Sequence, residues 1–346
     1  MKTNTIIFLA ISMVLITNST QAQNKKNNNE INWQGYAQIR GSSDLDSIYY
    51  FSLNRLKLWV AGEHDFGNGQ FIWHAKIIYS SKLGKYPALL DGYLGYKINN
   101  WQVLIGQQIP DFSLQWSQPD YRIPENIRSK TVTSLAPASS SFARDIGVQI
   151  KYYFKSSKGH LSIGLFNGTG ANIITFSGNH YLLSSRLVYK VIDKPWYLNL
   201  GTSFMYRSFE NQTFIPIILD RAELTGDDTR YALEVETGNQ NWLFQAEYIS
   251  ANITEQNTYG VYLHCQRLLV KKHLIFINLE DYHNDWQDSH SQYYTLGYSY
   301  YLVGDIAKIT IDNRLVYNLT NSRLSNLLIV QFQYMFNKSF KSKYHD

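Results

Sequence analysis

Beyond its first two dozen residues, the chain is a succession of aromatic-rich segments of alternating polarity, joined by connections that are alternately short and long. Successive side chains of a strand point to opposite faces, so each such segment has one apolar and one polar face. From Gln70 to Ser81, Phe71, Trp73, Ala75, Ile77 and Tyr79 fall on one face, and His74 and Lys76 on the other. Arg144 to Phe154 sets Ile146, Val148, Ile150, Tyr152 and Phe154 opposite Asp145, Gln149 and Lys151. Tyr181 to Val191 sets Leu183, Leu187 and Tyr189 opposite Arg186 and Lys190. A bilayer requires every backbone polar group to be paired, and strands that turn tightly on one side and loop freely on the other meet that demand by closing into a barrel.

The pattern predicts strands near 33–42, 49–63, 70–81, 88–98, 101–109, 144–155, 160–167 and 180–191. It continues near 196–208, 228–237, 242–251, 257–270, 273–281, 291–302, 306–318 and 325–336. Sixteen is an even count, as a single-chain barrel with both ends on one side needs, and fourteen and eighteen are the neighbouring alternatives. Short connections such as Asp65-Phe66-Gly67-Asn68-Gly69 and Asn99-Asn100 alternate with long ones at 110–143, 168–179, 209–227 and 282–290. The expected fold is all-β, a transmembrane antiparallel up-and-down barrel. A soluble sandwich or propeller explains the alternation but not the two loop lengths.

Mean hydropathy is slightly polar, which suits a barrel whose every second residue faces water. The 27 Tyr and 8 Trp suit rings that sit at the lipid–headgroup boundary. Lys2, the apolar run Ile6–Ile16 and Thr20-Gln21-Ala22 read as a signal peptide, residues 1–22. A polar lead-in at 23–32, a barrel domain at 33–336 and a polar tail at 337–346 complete the expected layout. Cys265 is the single cysteine, which excludes an intrachain disulfide and a cysteine-rich metal site. A formal charge of +5 without a dense basic run argues against nucleic acid as a partner. No catalytic set, metal site or cofactor is expected.

The segments GYAQIRG and FSLNRLKLWVAGE, then LLDGYLGYKINNWQVLIGQQIPDFSLQ, FARDIGVQIKYYF and LSIGLFNGTGAN, together resemble the phosphate-selective porin O/P family. RYALEVETGNQNWLFQAEYISA, LGYSYYLVGD and LIVQFQYMF extend the resemblance from about Trp33 to Phe336. It implies a sixteen-stranded, usually trimeric outer-membrane barrel with a loop folded into the channel. Residues 110–142, with four prolines and the run APASSS, are the candidate for that loop, since proline donates no ladder hydrogen bond. The last strand, ending at Phe336, resembles the signal that barrel-assembly machinery reads, although ten residues follow it. Expected partners are small hydrophilic solutes or anions, outer-membrane lipid and lipopolysaccharide, and two further copies of the chain.

An oxyanion-selective pore presents Lys and Arg where the ion sheds water. The candidate constriction carries Arg122, Arg128 and Lys130 together with Asp120 and Glu125, and Asp111 lies near its start. Candidate pore-lining positions are Arg40, Lys76, Lys151, Arg186, Arg207, Arg230, Arg314, Glu234 and Glu247, with Asp91, Asp145, Glu236 and Asp312 also inward. This mixed set favours a general porin over a phosphate-specific one. Two rival classes remain. Glu280, Asp281, His283, Asp285, Asp288 and His290 crowd the seventh outer loop, where a rim enzyme would place its groups, although neither G-x-S-x-G nor H-E-x-x-H occurs. A filled structural or adhesive barrel is the other, disfavoured because side chains fill an interior only at about eight strands.

Overall fold

A computed structural model describes residues 30–81, 86–137, 143–173, 180–212, 217, 223–270, 272–304 and 306–341. The expected signal peptide, most of the lead-in and the last five residues of the tail lie outside these. The strands are β1 Glu30–Ser43, β2 Tyr49–Phe66, β3 Gly69–Tyr79, β4 Ala88–Ile98, β5 Trp101–Gln108, β6 Asp145–Tyr153, β7 Gly159–Phe166 and β8 Tyr181–Ile192. They continue as β9 Tyr197–Gln212, β10 Leu224–Gly238, β11 Trp242–Ile253, β12 Gln256–Val270, β13 His273–Asn284, β14 Ser289–Val303, β15 Ala307–Asn318 and β16 Arg323–Lys341. Each pairs antiparallel with its chain neighbours, and β16 pairs with β1 to close a sixteen-stranded barrel. Among the described residues, no helix is long and apolar enough to cross a membrane.

The alternation read from the sequence becomes an outward apolar face. On β13, Ile275, Ile277 and Leu279 point outward and exposed, while Leu274, Phe276 and Glu280 are buried within the barrel. Aromatic rings bound this band at both ends. On the short-turn side, Trp101 meets Tyr152 at 4.7 Å and Trp242 stacks on Phe244 at 5.6 Å. On the other side, Tyr231, Tyr248, Tyr259 and His283 follow one another across β10 to β13. His273 and His283 mark the two ends on β13. Their separation corresponds to about 24 Å along the barrel axis for a strand tilted by ~45°.

Three details differ from the sequence expectation. First, β16 runs beyond Phe336 to Lys341, pairing Asn337 with Gln34 and Lys341 with Glu30. Ladder hydrogen bonds are made by backbone, so a strand that leaves the lipid can continue with polar side chains. Second, β13 and β14 consume most of the seventh outer loop, leaving only 285–288 between them. Third, β2 bulges at Asn54: Gln38 pairs with Arg55, but Ile39 pairs with Leu53. The extra residue reverses which face later side chains occupy, so Arg55, Lys57 and Trp59 join the interior.

Candidate functional site

The segment between β5 and β6 is the third outer loop, and it binds inward-facing side chains around the barrel. Two short helices organise it: α1 (Leu114–Ser117) and α2 (Lys130–Leu135). Ser113 and Ser129 cap them, accepting from the amides of Trp116 and Val132. Amides at a helix start lack intrahelical partners and carry partial positive charge, and two wall carboxylates use this. Glu247 on β11 accepts from the amides of Leu114 (2.9 Å) and Gln115 (3.4 Å). Glu280 on β13 accepts from those of Lys130 (2.5 Å) and Thr131 (3.4 Å).

Other wall side chains hold the loop backbone between the helices. Asp312 accepts from the amide of Asn126 at 2.7 Å, and Arg314 donates to the carbonyl of Ile127 at 3.0 Å. Arg40 donates to the Asn126 carbonyl and to Gln331, and Lys308 to the carbonyl of Ile123. Arg230 donates to the carbonyls of Leu135 (3.0 Å) and Ala136 (2.7 Å), while pairing with Asp228 at 2.8 Å. Arg207 shares that buried Asp228. Within the loop, Arg128 donates to the carbonyls of Gln115 and Gln118 and pairs with Asp120 at 2.9 Å. Glu125 accepts from Gln115 at 2.6 Å.

Apolar packing seats the loop on one side. Phe112, Val132 and Leu135 are fully buried against Leu182, Met205, Ile249 and Tyr262, from strands β8 to β12. Three clusters of charged groups, each built round one carboxylate, draw most of their strand cations from β2, β3 and β6. Asp120 is shared by Lys57, Arg128 and Arg55. Asp91 binds Lys76 at 2.7 Å and Arg144 at 2.9 Å, with His74 at 3.8 Å. Asp111 binds Lys151 and His160, each at 3.0 Å, and Arg186 at 3.2 Å, while Arg186 also holds Glu234 at 2.8 Å. In these contacts seven Lys and Arg side chains gather on four carboxylates. Arg55, Lys76 and Lys151 are 27%, 21% and 20% exposed, against 12%, 6% and 4% for Asp120, Asp91 and Asp111. At each of these three pairs the cation is the more exposed partner. Burial alone would raise the Asp120 carboxyl, but Arg55, Lys57 and Arg128 hold it well below the usual carboxylate range. Lys151, His160 and Arg186 do the same for Asp111.

The inward strand positions expected at Arg40, Lys76, Lys151, Arg186, Arg207, Arg230, Arg314, Glu234 and Glu247 all point into the barrel, in contacts the alternation could not show. Of the loop residues, Asp120 and Arg128 join one cluster. Glu125 faces His264 at 3.7 Å. Lys130 lies over the Tyr282 ring at 5.5 Å, where burial lowers its ammonium from the ordinary lysine value. Arg122 is exposed and rests against Tyr121 at 5.8 Å. Sequence reasoning missed Arg55 and Lys57 because of the bulge at Asn54, and Arg144 because it sits at the loop's end. The acidic crowd near the seventh outer loop separates. Glu280 points inward to α2, while Asp281, held by His290 at 2.9 Å and Gln292 at 3.1 Å, lies with His283 on the outer face. Among the described residues, no three His, Cys, Asp or Glu side chains are placed to hold a metal ion.

No family model matches the chain, and no curated protein matches it by sequence. Its fold is nevertheless that of solved outer-membrane barrels. An anion-selective porin from Comamonas acidovorans is 10% identical, covers 89% of this chain and all of its own, and superposes with a TM-score of 0.65. OmpF of Salmonella typhi, solved with daunomycin, is 10% identical over 92% of this chain and all of its own, with a TM-score of 0.65. The trimer form of OmpT, an outer-membrane protein of Vibrio cholerae, is 12% identical over 89% of this chain and all of its own, with a TM-score of 0.62.

Proposed function

We propose that the chain is an outer-membrane porin passing small hydrophilic solutes by passive diffusion, with a preference for anions, and that it is not an enzyme. The observation that carries this reading is the gathering of seven cations on four carboxylates, with Arg55, Lys76 and Lys151 more exposed than the carboxylates they meet. An ion entering this wall meets unbalanced positive charge in a confined, partly dehydrated space, where charge acts more strongly than in bulk water. Arg55, Lys57, Lys76, Arg128, Arg144 and Lys151 would attract the anion, with Arg122 exposed beside them on the loop. Glu247, Glu280, Asp312, Arg314, Arg40 and Arg230 would keep the constricting loop in place. Phosphate is a natural test ion, because an Arg fork matches an oxyanion and because of the resemblance to the phosphate-selective porin O/P family. The trimeric neighbour supports a homotrimer as the working assembly.

The test is reversal potential across a planar bilayer holding the purified protein, under a KCl gradient and then with phosphate added. Anion-preferring conductance that phosphate blocks is the expected result. Conductance without ion preference would reduce the reading to a general porin. A filled barrel is favoured by one observation, the apolar seat of the third loop. Absence of conductance from folded protein would select it, or a rim enzyme, instead.

A further inference from the structure

On the outer wall, a furrow crosses β10 to β13, lined on β10 by Val235 and Thr237. Its floor is Ala246 and Cys265, side chains too small to fill the width left by their neighbours. Phe244, Leu263, Ile277 and Leu279 form its sides. These residues stand side by side in register, Phe244 beside Cys265 beside Ile277, and Ala246 beside Leu263 beside Leu279. At the short-turn end, Arg267 continues the outward row of Leu263 and Cys265 and pairs in register with Trp242. Its guanidinium lies 4.8 Å over the Trp242 ring, which itself stacks on Phe244. Arg267 is exposed, and among the described residues no carboxylate pairs with it.

We infer that this furrow binds one phospholipid, its phosphate on Arg267 and one acyl chain along Ala246 and Cys265. The inference rests on the outer-membrane reading above. Charge and depth both select this occupant. The arginine sits at the ring-lined boundary where headgroups lie, and Trp242 holds it flat so that its remaining donors face a phosphate. Cys265 and then Ala246 follow the arginine in register toward the middle of the apolar band, the path an acyl chain would take. A second copy of the chain would bring this same arginine against its wall, where an uncompensated cation is costly.

Native mass spectrometry of the protein in non-ionic detergent, titrated with phosphatidylglycerol, tests this. The wild type is expected to retain one lipid per chain. Arg267→Gln should weaken retention roughly tenfold, as loss of a charge-assisted contact implies, and Ala246→Leu should weaken it by occupying the furrow. Equal retention by both variants would overturn the proposal. So would crosslinking of Cys265 between two copies in the membrane. Neither side chain faces the interior, so bilayer conductance of the same variants should match the wild type. Conductance and lipid retention can therefore fail separately.

Discussion

Arg128 links three stretches of the third outer loop, because one guanidinium meets the carbonyls of Gln115 and Gln118 and the carboxylate of Asp120. It is buried, and removing it leaves two loop carbonyls without their donor while Asp120 keeps Arg55 and Lys57, a loss of roughly 1–3 kcal/mol. Arg128→Met should lower the melting temperature and widen the spread of single-channel conductance as the loop loosens. Unchanged melting and conductance would show that the wall contacts alone hold the loop. Asp120→Asn acts in a different way, leaving Arg55, Lys57 and Arg128 without their shared anion. It should lower stability while shifting reversal potential further toward anions. The pH dependence follows from the depressed Asp120 carboxyl. A folded-state value below the unfolded one contributes stability that is complete above the unfolded value of about 4 and is lost as pH falls through the folded value. The melting difference between wild type and Asp120→Asn should therefore stay constant from about pH 7 to 5 and shrink only below about 4. A difference that closed by pH 5 would mean that Asp120 is not held by its cations.

At the scale of the element, strand alternation explains most inward positions, and bulges explain the exceptions. The Asn54 bulge brings Arg55, Lys57 and Trp59 inward, and a second at Leu90 lets Leu90 and Asp91 both be buried. Nothing in NRLKLW announces an extra residue, because a bulge is decided by which partner strand the backbone meets. Hairpin closure is more legible in the sequence. Gly159 starts β7 with φ of 122°, and a Cβ there would collide with the Val188 carbonyl of β8. Gly159→Ala should weaken the pairing of β7 with β8 by about 1–3 kcal/mol, the usual cost of a side chain in a sparsely populated backbone region. Heat-modifiable mobility on a gel would reveal it as unfolding at a lower temperature, and an unshifted transition would contradict the geometry.

For the whole molecule, the third outer loop and the cation clusters divide the interior: an apolar seat beneath β8 to β12, and clustered charge centred on β2, β3, β6 and β7 that reaches Arg186 on β8. Anion preference arising from such exposed cations should weaken as salt rises from about 0.1 M to 1 M, because the screening length falls from about 10 Å to 3 Å. Selectivity independent of salt would point to a purely steric filter. The sequence by itself pointed to sixteen strands, most of their bounds to within about two residues, the loop that leaves the sheet and the inward parity of Arg186, Arg230, Arg314 and Glu247. Those properties depend on side-chain alternation and on proline and glycine, all local along the chain. Only the tertiary structure decided that Glu247 and Glu280 accept from the amides at the starts of α1 and α2. It also decided that Asp120, Asp91 and Asp111 each gather several cations, and that Asp281 and His283 face outward. Each of these joins residues far apart in the chain, and their partners are set by barrel closure, register and bulges, which no single segment encodes.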